Sequence, residues 1–141
     1  MPLPPGATPL FAGLGCRRGC PADALAGLLQ RTLHAHNLPL ATLAGLASID
    51  LKRDEPGLLQ LAAFLNLPLQ FFSAVHLAPF EPRLSHRSEV TFRHSGCHGV
   101  AESAALALAE QHGDHPARLH ITRIAEDNMT LALAWAPSFG G

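Results

Sequence analysis

The sequence predicts an α/β fold: a mixed, mostly parallel sheet of about five strands, with helices on both faces and an antiparallel hairpin at the C-terminal end. Three observations carry that prediction. Short apolar runs alternate with stretches of helical periodicity from Pro9 to Gly113. The stop signal "NLPL" closes two of the helical stretches, at 37–40 and again at 66–69. Two alternating segments, "RLHITRI" and "MTLALAWA", flank the turn "AEDN".

The run "TPLFAGLGC" (8–16) ends in Gly-x-Gly, and residues 9–14 are expected as a buried first strand. Pro21 suits the first helical position, where its missing N–H costs nothing. Leu25, Leu28, Leu29, Thr32 and Leu33 then give a helix over about 21–36. "LAGLASID" (43–50) is a second buried strand. Asp54 is placed to cap a helix whose first turn holds Glu55 and Pro56 and whose stripe is Leu58, Leu61, Ala62 and Leu65. "LQFF" (69–72) is a third strand, and Ser73 caps a short turn of helix. From Pro79 to His98 Pro, Arg, His and Ser dominate, so a long surface loop is expected; a loop of that length in a compact domain is often functional. "HGVAESAALALAEQHG" (98–113) is an Ala-rich helix stopped by Gly113, with small residues suited to close packing on a sheet. The order is β-α-β-α-β-loop-α-β-β. One domain is expected over 9–137, between a tail at 1–8 and another at 138–141.

At 141 residues and 48% hydrophobic composition the chain suffices for one cored domain. Charged residues make up 15% and the formal net charge is −1, which argues against a nucleic-acid binder with its basic stripe. No apolar run reaches the ~18 residues of a membrane span. The N-terminal "MPLPPGATPLF" lacks the basic region of a secretory signal. Three cysteines do not make a disulfide framework, and a reducing cytoplasm is the expected setting.

The segment "GLGCRRGC" (13–20) concentrates the chemistry. Cys16 and Cys20 are spaced too widely for the usual zinc pair, and none of the nine histidines forms a recognisable ligand set with them, so no metal is expected. His34/His36 and His94/His98 are the nearest candidate pairs. A redox pair would favour Cys-x-x-Cys, although Arg17 and Arg18 would activate a neighbouring thiol. An anion cradle fits better. Ligands of open α/β sheets bind beyond the carboxyl ends of the strands, glycines let the backbone approach, and arginines supply forked donors for carboxylates or phosphates. The alternative is a solvated arginine pair on an ordinary turn. The stretch is neither a Walker loop nor a dinucleotide fingerprint.

The other strand ends supply Asp50, Lys52, Asp54 and Glu55, then Ser73, then Ser95, Gly96, Gly99 and Glu102 around the start of the Ala-rich helix. Asp54 and Glu102 read most simply as a helix cap and a first-turn acid. Ser73, Ser95 or Cys97 beside His94 or His98 are conceivable nucleophile–base pairs, but no catalytic set follows from spacing. Trp135, Phe71 and Phe72 read as core.

Taken in order, "GLGCRRGCP", "ASIDLKRDEPGLLQLA", "LPLQFFSA" and "GVAESAALALA" resemble the cobalamin-biosynthesis family that includes CobE and the C-terminal domain of CbiG, over about Pro9 to Ala136. The resemblance implies a three-layer α/β/α domain and a role in building the corrin ring. Two-domain members open a lactone on a ring-contracted cobalt-precorrin and release a two-carbon fragment. Short stand-alone members act in the oxygen-dependent route. The matching positions are Gly15, Cys16, Arg17, Arg18 and Gly19; Asp50, Lys52, Glu55 and Gly57; Phe72 and Ser73; Gly99, Val100 and Glu102. The chain departs from the family at Arg123, where relatives often carry a nearby lysine, and in the Arg/His-rich loop 79–98.

With the strand ends, this gives an expected ligand-binding set of Gly15–Gly19, Asp50, Lys52, Phe72, Ser73, Ser95, Gly96, Gly99, Val100 and Glu102. The expected partner is a precorrin or other corrinoid, with other cobalamin-biosynthesis enzymes as further partners and no cofactor. Loop 79–98 would act as a lid, with His86, His94 or His98 near the ring centre. A hydrolase or lyase acting on a precorrin lactone, and a non-catalytic module supporting another enzyme, are the alternatives.

Overall fold

The structure, a computed structural model, describes residues 8–85, 99–113 and 116–135. It contains a five-stranded sheet in the order β3-β2-β1-β5-β4. The strands are β1 (Leu10–Cys16), β2 (Leu43–Ile49), β3 (Leu69–Phe72), β4 (Arg118–Glu126) and β5 (Met129–Trp135). β1 pairs parallel with β2, and β2 with β3; β5 runs antiparallel to both β1 and β4. Four strands therefore point one way and β5 alone is reversed, as the mixed, mostly parallel sheet with a C-terminal hairpin requires.

The helices are α1 (Ala22–Ala35), α2 (Pro56–Leu65), the single turn α3 (Ala74–Leu77) and α4 (Val100–His112). Leucines of α1 and α2 meet Leu14, Leu46, Leu131 and Leu133 on one face of the sheet. α4, with Leu77 and Phe80, covers Phe11, Ala47, Phe72 and Ala132 on the other. The result is an α/β/α sandwich. The alanines of α4 explain how close it lies: a Cβ at Gly13 would run into the carbonyl oxygen of Ala101 and the amide of Ala105. Small residues on both sides let backbone meet backbone.

The two "NLPL" signals do the same job. Asn37 and Asn66 both take φ 55°, and the amides of Leu38 and Leu67 return to Leu33 and Ala62. Each helix thus ends in a Schellman-type turn that satisfies its last carbonyls. The hairpin turns on Asp127 and Asn128, both at positive φ, the two-residue geometry that matches strand twist.

Several expectations need correction. Asp54 does not cap α2: the cap position is Glu55, with Pro56 at the first helical position, and no side chain caps that end. The stretch from Pro79 is not open loop at its start, because Ala78–Arg83 forms a 3-10 turn that buries Phe80. Gly113 ends α4 in extended rather than left-handed backbone. Trp135 and Phe71 are half-buried, whereas Phe72 is in the core.

Candidate functional site

Because β1, β2 and β3 are parallel, their carboxyl ends share one edge of the sheet. α4 begins at that edge too, since a Cβ at Gly15 would sit 3.9 Å from the Cβ of Val100. The hairpin turn joins them through the Arg17 amide, which donates to the Asn128 carbonyl at 3.2 Å. Gly15–Gly19, Asp50, Lys52, Ser73, Gly99 and Val100 therefore gather along one rim. Ser95 and Gly96 lie outside the described residues, as do His86, His94 and His98 and most of the expected lid.

The turn after β1 is held at several points. The Cys20 amide donates to the Arg17 carbonyl at 3.1 Å, and Gly19 takes φ 83°. The Glu55 carboxylate, only 6% exposed, accepts the Gly19 amide at 2.9 Å. Gly57 packs so tightly beneath Cys20 that a Cβ would strike its carbonyl oxygen. The motif positions Glu55 and Gly57 thus clasp the turn from below. Arg17 and Arg18 remain exposed on it. Among the described residues the ion pairs are Arg31–Glu126 and Arg83–Glu110, and neither arginine of the turn nor Lys52 enters one.

Cys16 ends β1 in the core, and its thiol is pushed up to about 12. Burial is the main cause; the neighbouring Cys20 and the Glu55 charge add to it, against the Lys52 ammonium. Cys20 is also raised, chiefly by burial. Both are free cysteines that stay protonated at neutral pH, so neither is an activated nucleophile. No group of three or more metal-ligating side chains occurs among the described residues.

Three expected ligand contacts have other employment. Phe72 is 3% exposed and packs in the core. The Ser73 hydroxyl accepts the His76 amide at 3.0 Å and caps α3. Glu102 is 1% exposed: it accepts the amides of Ser85 at 2.8 Å and Arg123 at 2.9 Å, and the Ser85 hydroxyl as well. It is neither a dipole-matching surface acid nor a free ligand group. Spacing gave no sign of the Glu55 and Asn128 bonds to the turn, because both depend on which loops the sheet order makes neighbours.

A small α/β domain with a cation-bearing rim at its strand ends is the class that fold and geometry define. The sequence model of the family described as cobalamin synthesis G C-terminus matches residues 10–134, and the chain belongs to that family of cobalamin-biosynthesis proteins. It is 37% identical to protein CobE of Sinorhizobium sp. over 125 residues, 89% of this chain and 79% of that one. A crystal structure of CobE, a protein from the cobalamin biosynthetic pathway, superposes with a TM-score of 0.89 at 50% identity, covering 99% of this chain and 97% of that one. Over 72 residues the chain is 46% identical to the cobalt-precorrin-5A hydrolase of Salmonella typhimurium, covering 51% of this chain but only 20% of the hydrolase. No helix among the described residues is long and apolar enough to cross a membrane.

Proposed function

We propose that this chain binds a carboxylate-rich corrin precursor, a late precorrin or hydrogenobyrinic acid, and passes it between enzymes of the oxygen-dependent route. One observation carries the reading: Arg17 and Arg18 stand exposed, with no ion pair among the described residues, on a turn that Glu55 and Asn128 hold in place. A preorganised turn loses little freedom when its guanidinium groups take up acetate or propionate arms, so more of each charged hydrogen bond appears as affinity. Lys52 adds a third cation from the neighbouring strand end.

The test is a titration with hydrogenobyrinic acid followed by its visible spectrum. Saturable binding is expected, and Arg17→Ala with Arg18→Ala should weaken it by on the order of tenfold per arginine. Folded protein that gives no saturable change overturns the reading. The likeness to cobalt-precorrin-5A hydrolases supports a second reading, hydrolysis of a precorrin lactone. Release of a two-carbon product from a ring-contracted intermediate would establish it. The two protonated thiols make Cys16 and Cys20 poor candidates for its nucleophile.

A further inference from the structure

Among the described residues five large apolar side chains are exposed: Leu40, Leu51, Leu59, Phe64 and Val75. They sort by place. Leu40 precedes β2, at the opposite edge of the sheet from the rim, and Leu59 and Phe64 lie on α2. Leu51 and Val75 alone follow strand ends, β2 and β3 respectively, so both belong to the cation-bearing edge.

We propose that Leu51 and Val75 seat the apolar ring face of the ligand while Arg17 and Arg18 hold its carboxylate periphery. The proposal rests on the corrinoid reading above and names the part of the rim that takes the macrocycle itself. Scattered surface leucines need no explanation, but these two are presented by rigid supports. Leu51 is the middle residue of the 3-10 turn Asp50–Lys52, whose Asp50 carbonyl accepts the Arg53 amide at 3.0 Å, and it stands 62% exposed. Val75 is 83% exposed on α3, which Ser73 caps at its start and Leu77 anchors in the core at its end. The Phe72 ring lies 4.8 Å from that of His76, fixing the turn from a further side. A core-facing Leu77 leaves Val75, two residues earlier, on the opposite side of a helical turn.

These supports keep both side chains out of the core although β2 and β3 are neighbours. Charge on this edge is mixed with an excess of cations: Asp50 precedes Leu51, Lys52, Arg53 and Asp54 follow it, and the Arg17–Arg18 turn lies on the other side of β2. A polyacid with a wide apolar plane needs cations around an uncharged seat. That complementarity selects such a ligand over a second copy of the chain, which would set the same cations against themselves.

The experiment titrates hydrogenobyrinic acid at low and high salt into wild type, Leu51→Ser/Val75→Ser and Arg17→Ala/Arg18→Ala. The apolar pair should weaken binding about tenfold with the salt dependence intact, since desolvation of side chains carries no ionic term. The arginine pair should weaken binding and flatten its salt dependence. Leu51→Thr/Val75→Thr, closer in shape, guards against unfolding and should show the same loss. Wild-type affinity in both apolar variants, with the arginine pair still weakened, overturns the seat and leaves the corrinoid reading standing. Absence of binding by folded wild type removes both. A wild type that sediments as a dimer and becomes monomeric in the apolar variants assigns the patch to a second copy and overturns the proposal.

Discussion

Two buried carboxylates sit at helix starts on the same edge of this domain, and they hold different things. Glu55, at the cap position of α2, takes the Gly19 amide and fixes the turn that carries Arg17 and Arg18. Glu102, in the first turn of α4, takes the amides of Ser85 and Arg123 and ties the chain leaving the 3-10 turn to β4. Glu55 reaches sideways to one neighbouring loop; Glu102 joins two segments, a link that Arg83 reinforces by donating to the Ala117 carbonyl just before β4. In both, the acid is spent on backbone amides. Glu126 is likewise engaged, paired to Arg31, while the cations of the first turn enter no ion pair among the described residues. The near-neutral composition of the chain conceals this division.

The largest effect should follow removal of Glu102. Glu102→Ala takes the acceptor from two part-buried amides and a hydroxyl and leaves a gap where a fully buried side chain stood, and a loss of about 3 kcal/mol is expected from the urea midpoint. Glu102→Gln keeps one acceptor oxygen and should fall between. A loss under about 1 kcal/mol would break the comparison by showing that the segments stay joined without the carboxylate.

Glu55→Ala should cost less, about 1.5 kcal/mol, because one amide loses one partner near solvent. Its effect on hydrogenobyrinic acid binding should be the more telling, since Arg17 and Arg18 lose their support. Glu55→Gln retains an acceptor for Gly19 and should recover most of the binding. Rescue by glutamine separates positioning of the turn from any charge effect of Glu55. Equal losses of stability in Glu55→Ala and Glu102→Ala would erase the distinction between the two clasps.

The architecture was largely legible in the sequence, because local signals set it. Leu25, Leu28, Leu29 and Leu33 marked α1 by their spacing; Asn37 and Asn66 ended helices through a backbone conformation that asparagine tolerates; "AEDN" bent the hairpin. The rim was legible as a place, since parallel strands bring their ends together. The duties of single residues there were not. Asp54 looks like a cap and Glu55 looks like its neighbour until β1 and β2 are laid side by side and Gly19 comes within reach of the latter. Glu102 reads as a surface acid at a helix start, yet α4 is buried along Val100–Ala109 and carries it inward. Such roles depend on contacts between segments far apart in the chain, and spacing holds no record of them.

At neutral pH the smallest effect belongs to Cys16, whose titration contributes nothing there. Its folded-state pKa is raised from 9.0 to about 12, so the folded chain keeps a proton that the unfolded chain gives up. Between those values the unfolded state binds fewer protons, and stability must fall as pH rises from about 9 towards about 12. Below pH 9 the thiol is protonated in both states and contributes no slope. Urea midpoints of wild type and Cys16→Ala should therefore run parallel up to pH 9 and converge above it, the variant lacking this part of the alkaline decline. Glu55→Gln sharpens the point. Removing a negative charge that helps to raise the thiol should lower the Cys16 pKa and move the start of its alkylation by iodoacetamide to lower pH, whereas Glu102→Gln should leave that titration in place. Equal shifts in the two variants would mean that the clasp at Gly19 and the clasp at Ser85 act on one electrostatic unit and not on two.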